Sequence, residues 1–402
     1  MKRLLLAVVS CAFASPALAM ETQVLPKGTW MLDVAYMRST LDKQWDGERR
    51  ATSLIADIPR YEPGGGLQGI LRARPDATFH FLLMQLMYGV TDKLSLAVYV
   101  PLVLNTSIAT NLSWEPGDYQ GQLGRAYSED DFWAWAASMG QPRVPNSWSG
   151  NSGKLSDIIL AGRYLLPQFG WMKSSGFRWA GTLQVALPTG TNMDPEEAVS
   201  AGTNLWELHA AGTIEAHLSA DQPFLEDDGV SRGNVGADVF YAAFLPRKYQ
   251  SGKGTLNPLL NNIAPYVGDE YWIDGGDWFG ATLSADVVPI IGPTRASIVS
   301  GNSLEKARTL PPLLTLSIAY THIRTLQSYW RSDSALWSWE REKMWQPGEK
   351  NLLKATLTIS LLRVGLPVQV YASYRTQDLI PGRFTRPANV FTAGVRTLAK
   401  FW

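Results

Sequence analysis

Residues 353–361 read Leu353-Lys354-Ala355-Thr356-Leu357-Thr358-Ile359-Ser360-Leu361. Every odd position is apolar and every even one polar, so an extended chain carries a greasy face and a wet face, whereas a helix would scatter both kinds around its axis. The next stretch repeats the pattern, with Leu366, Val368, Val370, Ala372 and Tyr374 against Gln369, Ser373 and Arg375. Upstream, Phe279, Ala281, Leu283, Ala285 and Val287 alternate with Thr282, Ser284 and Asp286, and Leu94, Leu96, Val98, Val100, Leu102 and Leu104 form a further apolar file. Alternation over about ten residues matches a tilted strand that crosses a bilayer. Strands of soluble sheets usually run about five or six residues.

The pattern predicts strands near 28–37, 78–88, 94–104, 155–166, 177–187, 204–218, 233–244, 278–288, 312–322, 353–361, 366–375 and 390–402. Alternate connections are long, together roughly 180 residues, and the remaining five together are under about 60, as in bacterial barrels with long outer loops and short periplasmic turns. The expected fold is all-β: a single antiparallel transmembrane β-barrel of about twelve strands, within a range of ten to fourteen. Short helices are expected in the outer loops at 128–138 and 327–345, the latter because Trp337, Glu340, Arg341 and Met344 recur at helical spacing. Two strands fit less well. The stretch 78–88 is apolar on both faces, and 390–402 alternates poorly. A large soluble sandwich or propeller is the alternative, although no blade-length repeat is visible.

Met1-Lys2-Arg3, an apolar run from Leu4 and then Pro16-Ala17-Leu18-Ala19 have the order of a cleaved secretory signal. The expected organisation is a signal peptide over 1–19 and one barrel domain over 20–402, located in the outer membrane. Cys11, in the segment Val8-Val9-Ser10-Cys11, leaves a lipoprotein processing site as the alternative. It is the only cysteine, so cleavage after Ala19 excludes disulfides, thiolate metal sites and cysteine nucleophiles. Lys+Arg and Asp+Glu balance at 36 each among 402 residues, and nothing in the charge points to nucleic acid. The low charged fraction of 18%, with 16 tryptophans and no later apolar run long enough for a membrane helix, suits a barrel.

The strand at 204–218 places Glu207, His209, Glu215 and His217 on one face against Trp206, Leu208, Ala210, Gly212, Ile214 and Ala216. A basic charge facing lipid near the midplane costs roughly 2–4 kcal/mol, so that face is expected to line the lumen. The same four residues also suggest a metal or proton-responsive site, but neighbours about 7 Å apart on one strand need partners from other strands. His217 and Ser219 have the two-residue spacing found in some barrel lipid hydrolases. Their inward face argues against lipid substrates. The outer loops hold Trp133, Trp135, Trp148, Trp330, Trp337, Trp339 and Trp345. These aromatics either pack the loops or capture apolar solutes, and packing is the more economical reading. No catalytic, cofactor-binding or metal-binding residue is assigned.

Several ordered strings resemble the outer-membrane transporter family associated with meta-pathway phenol degradation. They are Tyr88-Gly89-Val90-Thr91-Asp92-Lys93-Leu94-Ser95-Leu96 with Val100-Pro101, then Ser156-Asp157-Ile158 with Arg163-Tyr164, then Leu187-Pro188-Thr189-Gly190, and Gly202-Thr203 before Trp206-Glu207. They cover about residues 25 to 220. The chain departs from the family in a long insertion at about 105–153 and near its end, where Arg396 and Lys400 interrupt the apolar alternation. The resemblance implies passive uptake of aromatic or other hydrophobic compounds. The expected partners are outer-membrane lipid, a small-molecule solute and the barrel-assembly machinery. A structural or adhesive barrel with a plugged lumen remains the other reading.

Overall fold

The computed structural model describes residues 24–402 except 56, 63, 139–142, 144, 151, 175–176, 191–204, 219–232, 251–269, 291–311, 332–341, 346 and 401–402. Twelve strands form the wall: β1 Thr29–Leu41, β2 Asp76–Thr91, β3 Leu94–Ala109, β4 Ile159–Leu165, β5 Phe177–Ala186, β6 Glu207–Leu218, β7 Gly233–Phe244, β8 Trp278–Ile290, β9 Leu314–Thr325, β10 Gly348–Ser360, β11 Val368–Thr376 and β12 Asn389–Lys400. Each pairs antiparallel with the next, and β12 returns to β1 in unbroken register from Thr29↔Lys400 to Thr40↔Asn389. Closure leaves no free edge and pairs the backbone groups within the wall, the condition for a sheet in hydrocarbon. No helix among the described residues is long and apolar enough to cross a membrane.

The two faces are reversed relative to a soluble protein. Leu183, Leu283 and Ile318 stand about 60% exposed on the outside, while Asp33, Gln85, His209 and Glu215 on the inside are at most 6% exposed. An outer surface this apolar is stable against lipid tails and unstable in water. At the end of the barrel where β1 begins and β12 finishes, the rings of Trp30 and Tyr88 lie tilted against each other with centroids 4.5 Å apart on adjacent outward files. Such rings form the aromatic girdles that border the apolar band.

The two awkward strands resolve physically. In β2 the inward file is Ala77, Phe79, Phe81 and Leu83, which joins a buried apolar cluster inside the barrel, while Leu82, Met84 and Leu86 face outward. A bulge accompanies this, because Phe81 pairs with Val103 but His80 pairs with Asn105, so one extra residue of β3 switches which parity points inward. Below the bulge Ser95, Ala97 and Val103 are buried, and above it Thr106 and Ile108. β12 takes its phase from its pairing with β1. Phe391, Ala393 and Val395 keep the outward file, and Arg396 belongs to the inward one, opposite Asp33.

The outer loops build two caps. Segments Ile58–Tyr61, Leu67–Ala73 and Leu112–Pro116 make a small sheet. Helix α1, Glu129–Ser138, packs on it through Phe132, Trp133 and Ala136 against Leu71. This is the helix expected at 128–138. The expected helix at 327–345 is corrected: Ser328–Arg331 and Glu342–Trp345 are strands in a four-stranded sheet with Arg247–Gln250 and Glu270–Asp274. Met344, the one described member of the helical spacing, lies in a strand held by cross-strand pairing. Trp337, Glu340 and Arg341 lie outside the described residues.

Candidate functional site in the barrel lumen

Inward side chains divide the lumen into a polar half at the end where β1 begins and a more apolar half under the loops. In the polar half Arg396 holds Asp33 with its Nε and a terminal nitrogen, 3.1 and 3.0 Å from Oδ2, and the Tyr371 hydroxyl donates to Oδ1 at 3.0 Å. Tyr371 reaches that position because its ring lies over Gly394, its register partner, where an added Cβ would stand 2.6 Å from the ring. Around the belt, Gln85 donates to Tyr99 at 3.1 Å, Arg163 Nε to Thr182 at 3.2 Å and Thr213 to Asp238 at 2.8 Å. Thr282 and Thr321 share a 3.0 Å bond. These bonds run from side chain to side chain between strands, since the backbone groups are committed to the wall and buried polar atoms otherwise lose the partners water gave them.

Above the belt, Met37, Phe79, Phe81, Val103, Ile108 and Val390 point inward and form one apolar cluster. Loop residues complete it: Leu54 is buried in its core, Ala388 joins it, and Ile55 and Trp148 pack against it. Across the lumen His209 stacks on Trp278 at 5.5 Å and meets the edge of Phe240 at 5.6 Å. Phe240 in turn covers Gly280, its register partner, where a Cβ would stand 2.6 Å from the ring. The loop half therefore carries patches of rings and aliphatic groups, interrupted by the inward charged side chains of Glu207 on β6 and of Arg375 on β11, the latter opposite Val390 in the register.

The sequence-derived candidates fall unevenly on this plan. Glu207, His209 and Glu215 lie on the inner face of β6, with His209 and Glu215 buried and Glu215 opposite Arg178 in the register. His217 occupies a β6 position opposite Asn234, with its side chain outside the described residues. Ser219 lies outside them too. Trp133 is buried in the cap, its indole donating to Glu129 at 3.0 Å, which is packing. Trp135 is half exposed and lies under the Arg60 guanidinium at 3.9 Å. Trp330 belongs to a loop strand with an undescribed side chain, while Trp337 and Trp339 fall outside the described residues. Sequence reading missed Asp33, Arg163, Tyr371 and Arg396 as lumen residues. The Leu32, Val34 against Asp33 alternation could have found the first, and the parity of Phe391 and Val395 the last.

The strings that carried the family resemblance have structural work to do here. Gly89 lies against the carbonyls of Leu25 and Pro26, where any Cβ would stand 2.2 Å from the Pro26 oxygen. Asp92 accepts the Lys27 amide at 3.0 Å and Ser95 the Leu25 amide at 2.7 Å. The segment before β1 is thereby strapped onto the inner end of β2 and β3, with Leu25 reaching an inward-facing serine. Where β4 begins, the Ile158 amide donates to Thr189 Oγ1 at 2.9 Å and the Gly190 amide to Asp157 at 2.9 Å, so two of the strings bind each other.

No known family model matches the chain, and no curated protein sequence matches it. Among solved structures it is similar to the COG4313 outer membrane channel from Pseudomonas putida F1, at 12% identity and a TM-score of 0.53, over 95% of this chain and 98% of that one. The β domain of the Bordetella autotransporter BrkA follows at 12% identity and 0.33, over 91% and 98%. The CymD monoaromatic hydrocarbon channel matches at 10% and 0.29, over 94% and 89%. The likeness to the first is one of fold over nearly the whole of both chains, and the chain has the fold of that outer-membrane channel.

Proposed function

We propose that this chain is an outer-membrane channel that admits small apolar solutes, phenol-like aromatics among them, by passive diffusion. The observation that carries the reading is the apolar cluster beneath the outer loops, built on the wall from Met37, Phe79, Phe81 and Val103. An apolar solute leaving water gains about 25 cal/mol per Å² buried there, while a sugar forfeits its hydrogen bonds. The lipid-facing wall and the channel with the same fold support the membrane and the location. Export through the signal at 1–19, insertion of 20–402 by the barrel-assembly machinery and a phenol-type solute belong to the same reading, the last supported by the ordered strings quoted above. Leu54, Ile55 and Ala388 pack into this cluster from the loops, so passage requires that this part of the loops move aside.

A plugged structural or adhesive barrel is the second reading, favoured by the same filling residues and by the strap at Leu25 to Lys27. Flux into liposomes carrying the refolded protein separates the two. A phenol-like aromatic should cross faster than a small sugar relative to protein-free vesicles, and absence of flux for both from a folded barrel would refute the channel.

A further inference from the structure

On the outside of the wall, the file of β1 runs Trp30, Leu32, Val34, Tyr36, Arg38, and that of β2 runs Tyr88, Leu86, Met84, Leu82, His80. Both change from apolar to polar at the same height, since Arg38 and His80 are register partners. His80 Nδ1 and the Tyr36 hydroxyl share a 2.6 Å bond. Arg38 is exposed and has no hydrogen bond or ion pair within the described chain. Its neighbour on the other side is Phe391 of β12. Arg38 has no carboxylate opposite it in either register.

Eight residues separate Trp30 from Arg38. At about 3.4 Å per residue and a tilt near 40°, that climbs roughly 20 Å, which places Arg38 at the far border of an apolar band about 25 Å tall. A guanidinium in that position sits where the lipid tails end and the phosphates begin, and its planar fork matches a phosphate. We propose that Arg38, with His80 and Tyr36 beside it, binds the phosphate of a phosphorylated glycolipid in the outer leaflet. The inference rests on the outer-membrane reading, because only that membrane places such a lipid against this end of the wall.

Native mass spectrometry of the detergent-solubilised full barrel tests it, with three added lipids: bisphosphorylated lipid A, the same lipid with its phosphates removed, and phosphatidylglycerol. Retention of the phosphorylated glycolipid should exceed that of the other two and fall about tenfold in Arg38→Gln, the loss expected for one charge-assisted contact. Arg74→Gln, whose guanidinium is held by Asp57 in the loop cap at 2.8 Å, should retain it like the wild type. Equal retention of phosphorylated and dephosphorylated lipid, or no change in Arg38→Gln, would overturn the proposal. Equal retention of phosphatidylglycerol would overturn the assignment to the glycolipid. Fractionation of cells expressing the chain tests the location separately: a barrel found in the outer membrane that shows no phosphate preference defeats this inference alone.

Discussion

Arg396 shows how one residue changes meaning once its phase is known. In the sequence it breaks an apolar run. In the barrel it neutralises Asp33, whose side chain is 6% exposed. Replacing it with leucine leaves that carboxylate buried and unpaired, and removing one partner of such a pair costs about 3 kcal/mol or more. Urea unfolding of Arg396→Leu in detergent should show that loss, and Asp33→Asn combined with Arg396→Leu should recover part of it. Gly394→Ala tests the same belt from another side, because its methyl group would occupy the space of the Tyr371 ring. The ring must move off Asp33, and the tyrosine fluorescence and stability should change together. Parity with Phe391 and Val395 would turn Arg396 inward, but its partner Asp33, like the Tyr371 ring over Gly394, comes from a neighbouring strand that only register supplies.

Among the elements, the strands were legible because alternation is a property of the local chain: the stretch 233–244 was placed without error and most others to within a few residues. The bulge in β3 was not, since an extra residue is defined only against a partner strand. The loops divided in the same way. Helix α1 carries its own start signal, with Ser128 and Asp131 bonding each other's backbone amides at 2.8 and 3.3 Å. The strands at 328–331 and 342–345 depend on pairing across long sequence separations. The Asp131 carboxyl is held well below the usual carboxylate range by the Arg125 guanidinium and then by Ser128. A depressed carboxylate contributes above its unfolded pKa and loses that contribution only as pH falls through the folded value. Hydrogen exchange of the α1 amides, corrected for intrinsic rate, should therefore stay protected from neutral pH down through about 4, where an ordinary aspartate protonates. Asp131→Asn should lose protection throughout. The loop residues that pack into the apolar cluster invite a functional test: Leu54→Ser weakens their seat and should raise single-channel conductance several-fold while the barrel stays folded, because loop burial contributes little to wall pairing.

At the scale of the whole molecule, the outward apolar belt and the closed order of strands were readable from period and loop length, whereas the division of the lumen into polar and apolar halves was not. The inward file of β6, Glu207 to Glu215, puts charge on one strand of the lumen, while Phe79, Phe81 and Met37 on β2 and β1 line the opposite part of the loop half. Only closure brings these files together. The claim that the apolar cluster selects the solute is tested most directly by flux of a phenol-like aromatic and a small sugar through liposomes bearing wild type or Phe81→Asn. The account predicts that aromatic flux falls several-fold in the variant while sugar flux holds or rises. Equal aromatic flux through both, from barrels of equal fold, would contradict it.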